Sequence, residues 1–166
     1  MRIMKDKDSL KFAVIGAGHG GTAMAGHLAL MGFDVSLYNR SPERIRIISH
    51  TGGIEILSDQ LNIPQGFAAL SVITSDMQEA IRDRDVIMVV LPATGHYEIA
   101  ASMAPFLQDD QIIVLNPGRT GGALEVLNVI RESGCQADVV ICEAQTLLYA
   151  SRSMNPGQTK IFRIKN

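Results

Sequence analysis

Apolar and polar positions along this chain alternate between short, almost wholly apolar runs and longer segments rich in helix formers. That is the pattern of a parallel sheet whose crossovers are helices. Lys11–Ile15 opens it as a run of the kind buried on both faces of a sheet. Residues 22–31 follow as a helix of Ala, Leu and Met, and after a turn at Gly32 and Phe33 the alternating segment Asp34–Tyr38 forms a second strand. Further strands are predicted at 71–74, 85–91, 111–115 and 139–142, with 85–91 central and parallel. Helices are predicted at 42–50, from the Ser75-Asp76 cap to about Arg82, and at 97–107 and 123–133. Residues 54–57 alternate as an exposed strand would, and the stretch from there through Phe67, with Pro64 and Gly66, predicts an added hairpin on the sheet surface. A last strand-like run covers 160–164. The predicted fold is α/β: a doubly wound, mostly parallel, six-stranded sheet forming a single domain over residues 10–166, behind a loosely ordered polar leader at 1–9.

Between the first strand and the first helix stand Gly16, Gly18 and Gly21 in the spacing G-x-G-x-x-G. At such a junction the first glycine allows a tight turn, the second lets a pyrophosphate reach the backbone, and the third lets helix and strand pack closely. His19 and Gly20 add backbone N–H groups at the helix start, where the dipole is positive. A Rossmann-type domain binding a dinucleotide is the expectation, with the ligand across the switch point between the first and fourth strands.

The residues after the second strand bear on which dinucleotide. An NAD-binding turn usually carries Asp or Glu there to hold the ribose 2′-hydroxyl. Here the sequence is Asn39-Arg40-Ser41, with a guanidinium and hydroxyl donors, which favours NADP and leaves NAD open. Arg40 stacking on adenine is the alternative, and Ser41 with Pro42 is also a good helix start. At the end of the central strand, Leu91, Pro92, Thr94 and His96 occupy the position where a nicotinamide would lie. Thr94 is equally suited to capping the next helix, and His96 is an acid–base candidate by its chemistry.

Composition narrows the picture without adding chemistry. The chain has 166 residues, 46% apolar and 19% charged, with a net charge of −2 and no run of one sign, which argues against nucleic acid or an anionic membrane as partner. Cys135 and Cys142 form no C-x-x-C pair, so neither a disulfide framework nor a metal site is implied, and a cytoplasmic protein with reduced thiols is expected.

Three motifs together carry a family resemblance: residues 16–21, Asn116-Pro-Gly-Arg-Thr-Gly-Gly-Ala-Leu-Glu125, and Glu143-Ala-Gln-Thr-Leu-Leu-Tyr-Ala-Ser-Arg152. From Lys11 onward the chain resembles the cofactor domain of the octopine/nopaline (opine) dehydrogenases, similar in turn to those of glycerol-3-phosphate dehydrogenase and ketopantoate reductase. The resemblance implies an oxidoreductase that condenses an amino acid with a 2-oxo acid and reduces the imine with NAD(P)H. It implies that Asn116 and Gly118 line the nicotinamide pocket, and that Arg119 and Thr120 face substrate, Arg being a suited fork for a carboxylate. Glu143, Thr146, Tyr149 and Arg152 are implied to border the active cleft. The family's catalytic His and Asp come from a following helical domain, so no catalytic residue is assigned here. That domain is expected to be absent, or supplied by a partner chain, with a homodimer the other way to cover the exposed edge. Other two-domain reductases of the related types, or a non-catalytic nucleotide-binding module, are the alternatives.

Overall fold

The computed structural model describes residues 6, 9–118 and 120–165. Most of the expected leader, and Arg119, lie outside them.

The first crossover sets the architecture. β1 (Lys11–Ile15) leads into α1 (His19–Leu30), and β2 (Asp34–Tyr38) returns parallel to β1 with Phe12 opposite Val35. Beyond α2 (Pro42–Thr51), β3 (Gly53–Ser58) and β4 (Gly66–Ala69), the short β5 (Val72–Thr74) adds parallel to β2. α3 (Met77–Ile81) is capped by Asp76, whose side chain accepts from the Glu79 N–H at 3.0 Å. β6 (Val86–Val89) then lies on the other side of β1, followed outward by β7 (Ile112–Leu115) and β8 (Val140–Glu143). The six strands run in the order β5-β2-β1-β6-β7-β8, all parallel, the doubly wound order whose switch point is between β1 and β6.

Period-2 alternation divides the core. Ala13 and Ile15 face one apolar cluster with Ile87, Val89, Ile113 and Leu115, packed against α4 (His96–Met103) and α5 (Gly122–Glu132). Val14 faces the other cluster with Val35, Leu37 and α1. The helix expected over 97–107 starts at His96 and leaves α-geometry at Met103, where Ala104–Phe106 forms a 3₁₀ turn around Pro105.

The region expected to be a surface hairpin is different. β3 and β4 pair antiparallel and belong to a second, four-stranded sheet with β9 (Tyr149–Asn155) and β10 (Gln158–Ile164), in the order β4-β3-β10-β9. This sheet packs on the far side of α1, so Ile54 and Ile56 are fully buried instead of exposed. The helix is thereby sandwiched between two sheets. That explains its lack of a polar face: Gly21, Thr22, Ala23, Met24, Ala25 and Gly26 are all buried. A side chain at Gly26 would collide with Ile56, so the second sheet approaches α1 as closely as it does because that position has no Cβ.

Candidate functional site

The site is built on the switch point. Gly16 follows β1 with φ of 112°, accessible at little strain only to glycine, and its N–H donates to the Tyr38 carbonyl at 2.9 Å. A Cβ there would lie 2.6 Å from the Val90 carbonyl oxygen. A Cβ on Gly21 would overlap the Gly16 carbonyl oxygen, so the third glycine is what lets α1 leave β1 so tightly. Gly18 differs: as N-cap of α1 its φ of −79° suits any residue, and a Cβ there would meet nothing within 4 Å. It borders open space in front of the first-turn N–H groups that a helix leaves without internal partners.

That space is part of a cleft of about 1000 Å³, near the upper end of the roughly 300–1,000 Å³ of small-molecule sites. It runs from Asn39, Arg40 and Ser41 after β2 and Arg44 on α2, past Gly16, Gly18, His19 and Gly20, to Leu91, Pro92 and Thr94 after β6 and Asn116 after β7. Eleven of the residues predicted from sequence to hold the cofactor therefore line one continuous cleft: Gly16, Gly18, His19, Gly20, Asn39, Arg40, Ser41, Leu91, Pro92, Thr94 and Asn116. Gly21 and Gly118 do not line it: Gly21 packs on the Gly16 carbonyl, and Gly118 lies against Glu143, its N–H donating to the Ala144 carbonyl at 3.1 Å.

Several of these residues have structural partners that the sequence did not reveal. The Asn39 amide accepts from the Ala17 N–H at 3.2 Å and donates to the Ser41 carbonyl at 3.1 Å, tying the end of β2 to the glycine turn. His19 Nδ1 accepts from the Ser153 N–H at 3.0 Å, and the His19 carbonyl accepts from the Ser151 hydroxyl at 2.9 Å. Thr159 donates to the Thr22 hydroxyl at 2.8 Å, which in turn donates to the Gly18 carbonyl at 3.0 Å. The second sheet thus braces the glycine turn. Arg40 reaches across the cleft to Glu98 on α4, Nη1 to Oε2 at 2.7 Å. Burial pushes the Tyr38 phenol above its ordinary value, with the Arg40 charge and a Ser102 hydrogen bond opposing.

Of the residues expected on the substrate side, none that the structure describes lines this cleft, and Arg119 lies outside the described residues. His96 is fully buried at the start of α4, with neither ring nitrogen hydrogen-bonded. Its expected place in a ligand-facing loop is corrected, because α4 begins one residue earlier than predicted and draws the imidazole in beneath α5. Tyr149 is also corrected: it is buried against α1, its hydroxyl sharing a 3.0 Å hydrogen bond with His27 Nδ1, and burial pushes the phenol up to about 12 and the imidazole down. Arg152 is exposed on β9, opposite Lys160, because residues 149–155 form a strand of the second sheet. Glu143 caps α5, its Oε2 accepting from the Ala123 N–H at 2.8 Å; Thr120 and Thr146 are exposed nearby. Glu98, Ile99, Ser102 and Leu147 line the cleft without having been singled out. For α4 a signal existed: its 3.6-residue period carries Glu98 and Ser102, four apart, to one face.

A six-stranded parallel sheet in this order, with a glycine turn opening onto a cleft at its switch point, defines a dinucleotide-binding Rossmann domain. Residues 11–140 match the family described as the NAD-dependent glycerol-3-phosphate dehydrogenase N-terminus, and the chain belongs to that family. It is 40% identical over 158 residues to an opine dehydrogenase from Arthrobacter sp. (strain 1C), a match covering 95% of this chain and 43% of the relative. Its fold superposes on an octopine dehydrogenase solved with NADH and agmatine, with a TM-score of 0.83 at 23% identity, covering 95% of this chain and 40% of that one. A ketopantoate reductase from Ralstonia eutropha JMP134 follows at a TM-score of 0.69 and 21% identity, covering 92% of this chain and 46% of that one. The chain thus spans less than half the length of these relatives. Among the described residues no helix is long and apolar enough to cross a membrane.

Proposed function

We propose that this chain is the NAD(P)-binding portion of an opine-dehydrogenase-like oxidoreductase, which joins an amino acid to a 2-oxo acid through an imine and reduces it. The observation that carries this is the 40% identity extending over 95% of the chain, which takes the match beyond the family match at residue 140. The cleft fits the cofactor: Gly18 leaves a cradle that a side chain would fill, at a helix N-terminus suited to a pyrophosphate.

When bound, the nicotinamide supplies a hydride. This chain's residues bind and orient. The turn from Gly16 to Gly21 holds the pyrophosphate, Asn39, Arg40 and Ser41 receive the adenosine ribose, and Leu91, Pro92, Thr94, Asn116 and Gly118 border the nicotinamide end. Thr120, Glu143 and Thr146 are assigned to the side from which substrate would come, and the resemblance adds Arg119 to them. Acid–base chemistry is assigned to a helical domain outside the matched length, in the same protein or a partner chain, and the free thiols Cys135 and Cys142 suit a cytoplasmic setting. A second reading, a glycerol-3-phosphate type of reductase, is favoured by the family match over residues 11–140; a substrate panel on the longest form of the protein separates the two.

The test is calorimetric titration of the chain with NADH and NADPH, beside Gly18→Val. Binding of at least one cofactor, lost in the variant while its melting temperature holds, supports the reading. No binding of either overturns it.

A further inference from the structure

The end of β2 carries no carboxylate in Asn39-Arg40-Ser41, which by itself favours a 2′-phosphate. Both donors offered there are nevertheless already engaged by carboxylates from other positions. Arg40 Nη1 bonds Glu98 Oε2 at 2.7 Å, and the Ser41 hydroxyl donates to Glu43 Oε2 at 2.8 Å. Of the two acids, Glu98 lines the same cleft as Arg40. It stands on the first turn of α4, on the opposite wall from β2.

We propose that Glu98 is the residue that selects at the ribose 2′ position, supplying from α4 the carboxylate that NAD-binding turns place at the end of their second strand. The inference rests on the cofactor-binding reading above. Both side chains are largely exposed, 80% for Arg40 and 69% for Glu98, so their mutual attraction is weak and the pair opens readily. What persists is the charge of the rim. With Glu98 present, Arg40 contributes no net positive charge there. A 2′-phosphate must break the pair and then meet a carboxylate, whereas a 2′-hydroxyl can donate to that carboxylate without displacing Arg40. Arg44 also lines this end, so a 2′-phosphate has a further cation; Glu98 decides how much of Arg40 it can use.

The experiment is calorimetric titration of the 166-residue chain with NADH and with NADPH at fixed ionic strength, for the native protein, Glu98→Gln, Arg40→Ala and the double variant. The native chain is expected to bind NADH at least as tightly as NADPH. Glu98→Gln is expected to move the affinity ratio about tenfold toward NADPH, and adding Arg40→Ala to remove that gain. Raising the salt should shrink the gain, since the groups are exposed. If both cofactors bind and Glu98→Gln leaves their ratio unchanged, Glu98 does not select and only this proposal falls. If the native chain binds neither, the cofactor-binding reading falls and takes this one with it.

Discussion

At the residue scale, the three glycines of one motif do different jobs, and substitution separates them. Gly18→Val adds a side chain where nothing lies within 4 Å, in a backbone conformation open to any residue. It is expected to leave the melting temperature unchanged and to abolish cofactor binding by calorimetry. Gly21→Ala places a methyl on the Gly16 carbonyl oxygen and is expected to destabilise by about 2 kcal/mol or more in urea denaturation, since neither backbone can yield. His27 and Tyr149 form a second pair whose effect is on stability. Burial holds the His27 imidazole below its ordinary value of 6.5, so the folded state binds the proton less well than the unfolded chain. The resulting stability is fully present above pH 6.5 and is lost as pH falls through the depressed value. Tyr149, pushed up to about 12, gives stability that is present below pH 10 and lost as pH rises through about 12. Tyr149→Phe is expected to cost about 1 kcal/mol at neutral pH and to remove the alkaline loss, as followed by thermal melts across pH.

At the scale of elements, α1 is the unusual member. A helix covering one face of a sheet is amphipathic, and this one is not, because the sheet of β4, β3, β10 and β9 covers its other side. The strand predicted to be exposed is therefore core. Ile56→Ala is expected to cost about 2–4 kcal/mol in urea denaturation, as for a fully buried isoleucine. A loss below about 0.5 kcal/mol, typical of a surface position, would show that β3 does not pack as described. The alternation Ile54-Glu55-Ile56-Leu57 indicated a strand, yet a strand's own pattern does not say which surface it meets.

At the scale of the whole molecule, the second sheet ties the last strands of the chain to its first turn. Ser153 and Ser151 bond His19, and Thr159 bonds Thr22, so the cleft's phosphate end depends on residues more than 130 positions away. A chain ended after Glu143 keeps all six strands of the Rossmann sheet but uncovers α1 and β3. Such a chain is expected to lose cooperative thermal unfolding, monitored by circular dichroism, and with it the ordered glycine turn. Two independent transitions in the intact protein would contradict this coupling.

Local chemistry was readable in the amino-acid order alone. The apolar runs, the cap at Asp76, and the glycine spacing between a strand and a helix each depend on neighbours a few residues away, and together they imply the parallel sheet and the place of its cleft. Eleven predicted residues converge there because the topology of such a sheet brings the ends of its strands to one edge. Tertiary structure alone decided the rest: that Tyr149 is packed on His27, that residues 149–155 are a strand, and that Arg40 meets Glu98. These contacts join residues 122 and 58 positions apart, and no periodicity or local preference of either segment encodes its partner. What brings them together is the burial of a helix between two sheets and the facing of two walls across a cleft, which are properties of the folded chain.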